Sequence, residues 1–299
     1  MKISICVPVF NEELNIEPFY EEMKKFLSKN NYENYEIIFS DNYSDDKTED
    51  EIMKICEKDL NVKYVKFTHN LGYDRSVYEN YLISSGDFAV SIDCDLQDDL
   101  ETINKFIEEW KNGHDMVYGI RYNRKGNYIF TLFTRLYYRV FNLFQFRNLP
   151  NDSGDFRLVD RSIIKELNKN KIINPYTRFL TFVYSKNPKG IFYKRDVRKL
   201  GYSKFGFFNA LKYGLKMLTL YTNFFPRVFG FIFVMLALVF IASSFILENI
   251  NNNFILLSIS LMFLILASST FYLLENFFQN LNENRLKNNV IIKKINFDE

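Results

Sequence analysis

Three cysteines, two histidines and one tryptophan are all that 299 residues contain of those types. Cys6, Cys56 and Cys94 are too few and too scattered for a disulfide framework, which excludes the small disulfide-stapled secreted class and suggests a reducing compartment. His69 and His114 have no histidine or cysteine partners at ligand spacing, so zinc sites and histidine-dependent triads are poor fits. Neither charge sign dominates: 38 Lys and Arg face 36 Asp and Glu, a net charge of +2, and no basic field recommends nucleic acid as a partner. No signal-peptide pattern is expected, because Met1-Lys2 leads directly into a strand-like run ending at a proline turn. Aromatic residues are plentiful at 18%, and most fall after Tyr128.

The first part of the chain alternates strand and helix patterns. Strands are predicted at Ile3–Val9, Glu36–Ser40, Val62–Phe67, Phe88–Ile92 and Met116–Gly119. Helices are predicted over Glu12–Lys29, Lys47–Lys58, Asp74–Ser84 and Leu100–Asn112. That alternation predicts a doubly wound α/β domain with a mostly parallel sheet. The tail differs. Residues 228–247 and 254–274 are uncharged apolar runs, each long enough to span a hydrocarbon core of about 30 Å. The connector 248–253 carries no Lys or Arg, whereas Lys204, Lys212, Lys216 and Arg227 precede the pair and Arg285, Lys287, Lys293 and Lys294 follow it. The charge bias places both termini and the α/β domain in the cytoplasm. Tyr128–Phe146, with Arg135 and Arg139, and Phe205–Phe225, with Lys212 and Lys216, read as amphipathic helices. Each lies either in the headgroup plane or over the sheet with its cations in water.

The chemistry gathers at strand exits. Asp93-Cys94-Asp95-Leu96-Gln97-Asp98 closes the strand Phe88–Ile92, and ligands of open α/β sheets bind at such carboxyl ends. Two carboxylates two residues apart and a following amide oxygen suit Mg²⁺ or Mn²⁺ when substrate phosphate completes the coordination; otherwise the stretch is a solvated turn or a helix cap. Asp41 is placed to receive the N–H of a pyrimidine base. With Asn42 to Asp46 it also reads as an acidic turn capping the following helix, the two roles being compatible, and Glu12 is placed to hold base or ribose hydroxyls. Gly154-Asp155-Phe156-Arg157-Leu158 is either a carboxylate and guanidinium sharing one site or a loop salt bridge worth about 0–1 kcal/mol. Arg121, Arg124 and Arg198 are further cations for phosphates or for solvent.

Taken in order, Pro8-Val9-Phe10-Asn11-Glu12-Glu13, Asp41 to Thr48, the Asp93 stretch, Gly154 to Leu158 and Gly201-Tyr202-Ser203-Lys204-Phe205 resemble the polyprenyl-phosphate glycosyltransferases of glycosyltransferase family 2. These include dolichol-phosphate mannose synthase and the bacterial undecaprenyl-phosphate glucosyltransferases. The apolar hairpin, Glu275-Asn276 and the basic end Val290–Lys294 fit the bacterial subtype. The resemblance implies a Rossmann-like GT-A domain over 1–204, an interfacial helix over 205–225, a transmembrane hairpin over 226–276 and a basic cytoplasmic tail over 277–299. It implies an inverting transfer of one sugar from a nucleotide sugar, UDP-linked by expectation, to undecaprenyl phosphate at the cytoplasmic membrane face. A homo-oligomer is compatible with that family. Pro8, Phe10, Glu12 and Asp41 would line the nucleotide pocket, and Asp93 would support donor and metal with Asp95 and Gln97 as metal ligands. Asp155, as base or orienting group, and Arg157 would stand at the reaction centre. Arg198, Ser203 and Lys204 would hold the donor, and Arg121, Arg124, Arg135 and Arg139 the acceptor phosphate.

The chain departs from that pattern where Asn42-Tyr43 replaces Asp-Gly, and where Tyr73 follows Asn70-Leu71-Gly72 in place of a basic residue. Two other functions stand beside the first: transfer to a lipid-diphosphate-linked glycan or another surface acceptor, and a non-catalytic membrane-tethered nucleotide-sugar-binding protein. A processive synthase is disfavoured, since no Gln-x-x-Arg-Trp is present and Trp110 follows Glu109.

Overall fold

The computed structural model describes residues 1–122, 128–143, 149–150, 153–170, 172, 174–196, 206–222 and 293–295, with isolated helical positions between 224 and 273. The chain runs β1 (Ile3–Val9), α1 (Ile16–Lys29), β2 (Tyr35–Asp41), α2 (Thr48–Cys56), β3 (Val62–Lys66), α3 (Tyr73–Ile83), β4 (Phe88–Ser91), α4 (Glu101–Lys111) and β5 (Met116–Tyr122). Then follow α5 (Tyr128–Leu143), β6 (Ser153–Asp160), α6 (Arg161–Asn170), α7 (Thr177–Tyr184), β7 (Pro188–Lys194), α8 (Phe207–Tyr221) and β8 (Lys293–Ile295).

All seven residues of β1 are buried, as expected of a strand covered on both faces. Their alternation sorts them: Ile3, Ile5, Val7 and Val9 enter one apolar layer, Cys6 the other. Helix α1 turns Ile16, Phe19, Met23, Phe26 and Leu27 into the first layer at helical spacing. Buried residues of α3, α6 and α7 fill the second. The sheet order is β7-β5-β6-β4-β1-β2-β3-β8. Strands β4, β1, β2 and β3 are mutually parallel, whereas β6 runs antiparallel to both β4 and β5. Strand order reverses around β1, between β2 and β4, so the crevice for a ligand opens beyond the carboxyl ends of β1 and β4.

The nine predicted elements all form, with ends moved by a few residues. Glu12–Asn15 belongs to the loop before α1, not to the helix, because it is stitched to the loop after β2. The stretch 154–158, read either as a site cluster or as a loop salt bridge and not as a strand, is the middle of β6. Its charged side chains conceal the strand pattern, and its pairing with β4 and β5 satisfies the backbone. Tyr128–Leu143 and Phe207–Tyr221 are helices α5 and α8. Gly214 lets α8 approach α5 closely, since an added Cβ would lie 3.3 Å from the Tyr137 ring. Most of the two apolar runs, 228–247 and 254–274, lies outside the described residues, and among the described residues no helix is long and apolar enough to cross a membrane. Thr219 of α8 hydrogen-bonds Tyr272, which ties the second run back to α8. Near the carboxyl end, Lys293–Ile295 adds an edge strand antiparallel to β3.

Candidate active site

The loops after β1 and β2 form one rim of the crevice. The Asn11 N–H donates to Ser44 Oγ (2.8 Å), the Glu12 N–H to Thr48 Oγ1 (2.8 Å), and the Asp45 N–H to the Asn11 side-chain oxygen (3.0 Å). Glu12 also accepts from Asn15 Nδ2 at 2.6 Å. Pro8 sits in β1 opposite Ser40, and Phe10 lies half-buried just beyond the strand. Asp41 is 0% exposed. Its Oδ1 accepts from the Ser44 N–H and hydroxyl (2.9 and 2.6 Å), and its Oδ2 from the Tyr64 hydroxyl (2.8 Å). These contacts give Asp41 a turn-forming role. The departures from the expected pattern keep the rim intact. Asn42 accepts from the Leu71 N–H (2.7 Å) and donates to Asn70 (2.9 Å), which joins the loops after β2 and β3. Tyr43, where a glycine was expected, takes φ +70°, the left-handed conformation that glycine adopts without strain.

Beyond β4 the acidic stretch folds around a cation that sequence reading missed. Arg195, just past β7, places Nη2 3.4 Å from Asp93 and 3.7 Å from Asp95, and Nε 3.5 Å from Asp98. Asp98 also accepts from the Tyr193 hydroxyl (2.6 Å), and Asp93 from the Tyr73 hydroxyl (2.8 Å). Gln97 donates its side-chain N–H to the Asp196 carbonyl (3.2 Å) while its own carbonyl accepts from the Asp196 N–H (2.8 Å). Leu96 between these ligands is held at φ +53°, a conformation that costs a leucine energy and persists where surrounding contacts enforce it. Burial, then the charges of Asp98 and Asp95, push the Asp93 carboxyl up to about 6, against the opposing pull of Arg195 and Tyr73.

Three carboxylates therefore meet one guanidinium. Among the described residues no group of three or more His, Cys, Asp or Glu side chains is arranged as a ready metal cage. Asp93, Asp95 and Gln97, two carboxylates and an amide, nevertheless offer the hard oxygen donors a divalent cation takes, and with Asp98 the carboxylates outnumber the one guanidinium beside them.

The second cluster lies on β6. Asp155 and Arg157, two residues apart, share a face of the sheet, but their surroundings differ. Arg157 is 1% exposed and turned inward. Its Nη1 donates to the Arg178 carbonyl (3.0 Å) and Thr181 Oγ1 (2.6 Å), its Nη2 to the Gly154 carbonyl (2.5 Å), and its guanidinium lies 5.8 Å from the Phe182 ring centre. Its approach to Asp155, 3.9 Å, is long. Asp155 is gripped instead by Arg178 of α7, whose Nε donates to Oδ1 at 3.1 Å and whose Nη2 donates to Oδ2. Burial would raise the Asp155 carboxyl, but Arg178, then Arg157 and Arg121, hold it well below the usual carboxylate range.

Tyr73 stands between the clusters. Burial of its hydroxyl, then the charges of Asp93 and Asp155, push the phenol well above its usual range. Next to it Asp74 accepts from the Tyr213 hydroxyl of α8, and its backbone carbonyl accepts from Thr177 Oγ1 at 2.7 Å. Arg121 on β5 lies beside Gly154 and donates to the Tyr193 hydroxyl (3.4 Å). Arg135 and Arg139 do not join the cluster: both are exposed on the outer face of α5 with Phe133 and Leu136, while Tyr138 and Phe141 face inward. Arg124, Arg198, Ser203 and Lys204 lie outside the described residues.

An acidic cluster at the switch point of a mostly parallel sheet, with a second carboxylate on an inserted antiparallel strand, belongs to a GT-A-like α/β domain. The sequence model described as "Glycosyl transferase family 2" matches residues 4–167, and the chain belongs to that family. It is 33% identical over 224 residues to an uncharacterized glycosyltransferase, YkcC, of Bacillus subtilis (strain 168), covering 75% of this chain and 69% of that one. It is 32% identical over 233 residues to the bactoprenol glucosyl transferase of Shigella phage SfV, covering 78% and 76%. A prophage bactoprenol glucosyl transferase homolog of Escherichia coli (strain K12) is 32% identical over 241 residues, covering 80% and 78%. Among solved structures, glucosyl-3-phosphoglycerate synthase from Mycobacterium tuberculosis, in complex with Mn²⁺, UDP and glucosyl-3-phosphoglycerate, aligns with a TM-score of 0.46 at 14% identity, covering 73% of this chain and 77% of that one. The protein is a glycosyltransferase whose relatives include bactoprenol glucosyl transferases.

Proposed function

We propose that this protein transfers one sugar from a nucleotide sugar, UDP-linked, to a polyprenyl phosphate at a membrane surface, with inversion at the anomeric carbon. The observation that carries the proposal is the first turn of α3, where Tyr73 reaches the acidic donor cluster and Asp74 reaches α8. Helix α8 and its neighbour α5 present exposed cations beside exposed apolar side chains: Lys212 and Lys216 with Leu211 and Leu215, and Arg135 and Arg139 with Phe133 and Leu136. Such faces suit the headgroup plane of an anionic bilayer, which supports a lipid-borne acceptor. The relatives named as bactoprenol glucosyl transferases support the same acceptor class. The apolar runs 228–247 and 254–274 would anchor the chain as a hairpin with its catalytic domain on the cytoplasmic side.

In this reading the rim of Pro8, Phe10, Glu12 and the loop after Asp41 takes the nucleotide, and Asp93, Asp95 and Gln97 would hold Mg²⁺ or Mn²⁺. The ion would offset charge on the departing diphosphate. A phosphate oxygen of the lipid attacks the anomeric carbon as the bond from that carbon to the diphosphate oxygen breaks, and the nucleoside diphosphate leaves with the electron pair. Because a phosphate monoester with its second pKa near about 6 is already largely dianionic at neutral pH, no proton need be removed. Asp155, held ionised by Arg178 and with both oxygens engaged, is suited to orienting charge more than to accepting a proton. Arg195, freed of part of its carboxylate company when a divalent ion binds, would be available to the diphosphate.

The test is to incubate purified full-length protein with Mn²⁺ or Mg²⁺, undecaprenyl phosphate and a panel of UDP-sugars, then read lipid products by mass spectrometry. A single hexosyl or N-acetylhexosaminyl adduct on the lipid monophosphate is expected. Nucleotide binding without any adduct from the whole panel would overturn the acceptor assignment.

A further inference from the structure

Asp155 is held by a side chain that belongs to none of the sequence motifs. Arg178 approaches from α7 and meets both carboxylate oxygens with two different nitrogens, the planar fork that arginine offers and lysine cannot. The third nitrogen of the fork is also used: Nη1 donates to the Tyr138 hydroxyl of α5 at 2.8 Å. The main chain of Arg178 is fixed as well, because its carbonyl accepts from Arg157 of β6 at 3.0 Å. The side chains of Asp155 and Arg178 are 17% and 24% exposed, so the pair is shielded yet borders the crevice. Tyr138 lies on the buried face of α5, opposite the cations and apolar residues of the outer face.

We infer that Arg178 is a positioning residue for sugar transfer: its fork, itself set by Tyr138, fixes the plane and the charge of Asp155 beside the reacting phosphate. The inference rests on the proposed transfer to a polyprenyl phosphate and adds to it the element that orients its carboxylate. Both oxygens of Asp155 are committed to Arg178, so the carboxylate offers a fixed anion in a fixed plane. A carboxylate that rotates freely over its last torsion would place that charge less well, and a misplacement on the order of 1 Å can cost about 100-fold in rate. The link to Tyr138 makes the packing of α5 against α7 part of the same arrangement.

The experiment is a double-mutant cycle in the full-length protein, reading kcat and donor KM for lipid adduct formation in D155N, R178A and the double variant, with R178K and Y138F alongside. Arg178→Ala is expected to lower kcat by about 100-fold and leave donor KM within about twofold. The double variant is expected to be no slower than the slower single variant within about threefold, because both changes remove one unit. R178K should recover part of kcat, and Y138F, which keeps the ring and loses one hydrogen bond, should lower kcat by less than R178A does. Losses that multiply across the cycle, or a loss confined to donor KM, would overturn the inference. If the wild type forms no adduct, the proposed function fails while the pairing is still judged by the infrared carboxylate band that D155N removes. That band is expected to persist at about pH 4 in the wild type and to be diminished there in R178A. Identical titration in the two proteins would refute the clamp.

Discussion

Replacing Arg157 by Met separates a structural guanidinium from a phosphate-binding one. The motif resemblance assigns Arg157 to the reaction centre, yet the residue is 1% exposed, and three oxygen acceptors from Gly154, Arg178 and Thr181 surround its guanidinium. Methionine keeps most of the aliphatic length against Phe182 and removes every donor. Buried acceptors left without a partner cost about 1–3 kcal/mol each, and breaking one side of a buried charged arrangement costs roughly 3–5 kcal/mol in all. For a domain of this size each kcal/mol lowers the melting temperature by about 2–4 °C, so Arg157→Met should lower it by roughly 6–20 °C. Trp110 is a built-in reporter: it is the one tryptophan, and its Nε1 donates to Asp160 at the end of β6 at 2.7 Å. Thermal unfolding followed by its emission, with nucleotide binding measured below the transition, decides the matter. A variant that melts within about 2 °C of the wild type and still loses transfer would refute the structural reading and return Arg157 to the substrate phosphates.

Asp95→Ala should remove metal-dependent turnover by about 100-fold while the melting temperature holds, checked by titrating Mn²⁺ against adduct formation; full activity would displace Asp95 from the ligand set. Glu36, 1% exposed, is pushed up by burial but drawn down further by Lys63, Ser4 and Ser85, to about 2 from 4.5. Its contribution is at most about 3 kcal/mol, present above about pH 4.5 and lost as pH falls toward about 2, so E36Q should lower stability at neutral pH and flatten the acid limb of a pH series of unfolding curves. The double change R135Q and R139Q should weaken use of polyprenyl phosphate in anionic vesicles by up to about 30-fold at low salt, an effect that shrinks as salt is added. The measurement is acceptor KM against ionic strength, and donor KM should not move.

The parallel half of the sheet was legible because burial on both faces leaves near-continuous apolar runs, as in Ile3–Val9 and Phe88–Ser91. The acidic stretch was legible for a related reason: polar residues that abruptly end such a run must stand at its carboxyl end. Strand β6 was not, since Asp155 and Arg157 interrupt it with charge that only tertiary partners compensate. Those partners are invisible in one dimension. Arg178 lies 23 residues after Asp155, and Arg195 lies 102 residues after Asp93, each in a segment without periodic or motif signal. Asp41 was half legible: its place in the rim followed from the strand exit, but its saturation by Ser44 and Tyr64 depends on β3 pairing alongside β2.

In the proposed reaction the start of α3 joins the donor and acceptor sides of the crevice. Gly72, at φ +82°, turns the chain into the helix so that consecutive residues diverge, Tyr73 toward the acidic cluster after β4 and Asp74 toward α8. Asp74 is raised by burial and by the charge of Asp155, and its partner Tyr213 opposes that rise. A carboxylate so placed favours neighbours that donate hydrogen bonds and disfavours further anions. Asp155 escapes the same fate because Arg178 neutralises it, so each of the two carboxylates depends on a helix near the proposed membrane face, α8 through Tyr213 and α5 through Tyr138 on Arg178. Neither hydroxyl carries charge of its own, so loss of either helix contact would loosen the placement of these carboxylates and leave their charge unchanged. In the proposed reaction Arg195 stands among the carboxylates of the donor side, whereas Arg178 is spent on Asp155 and Tyr138.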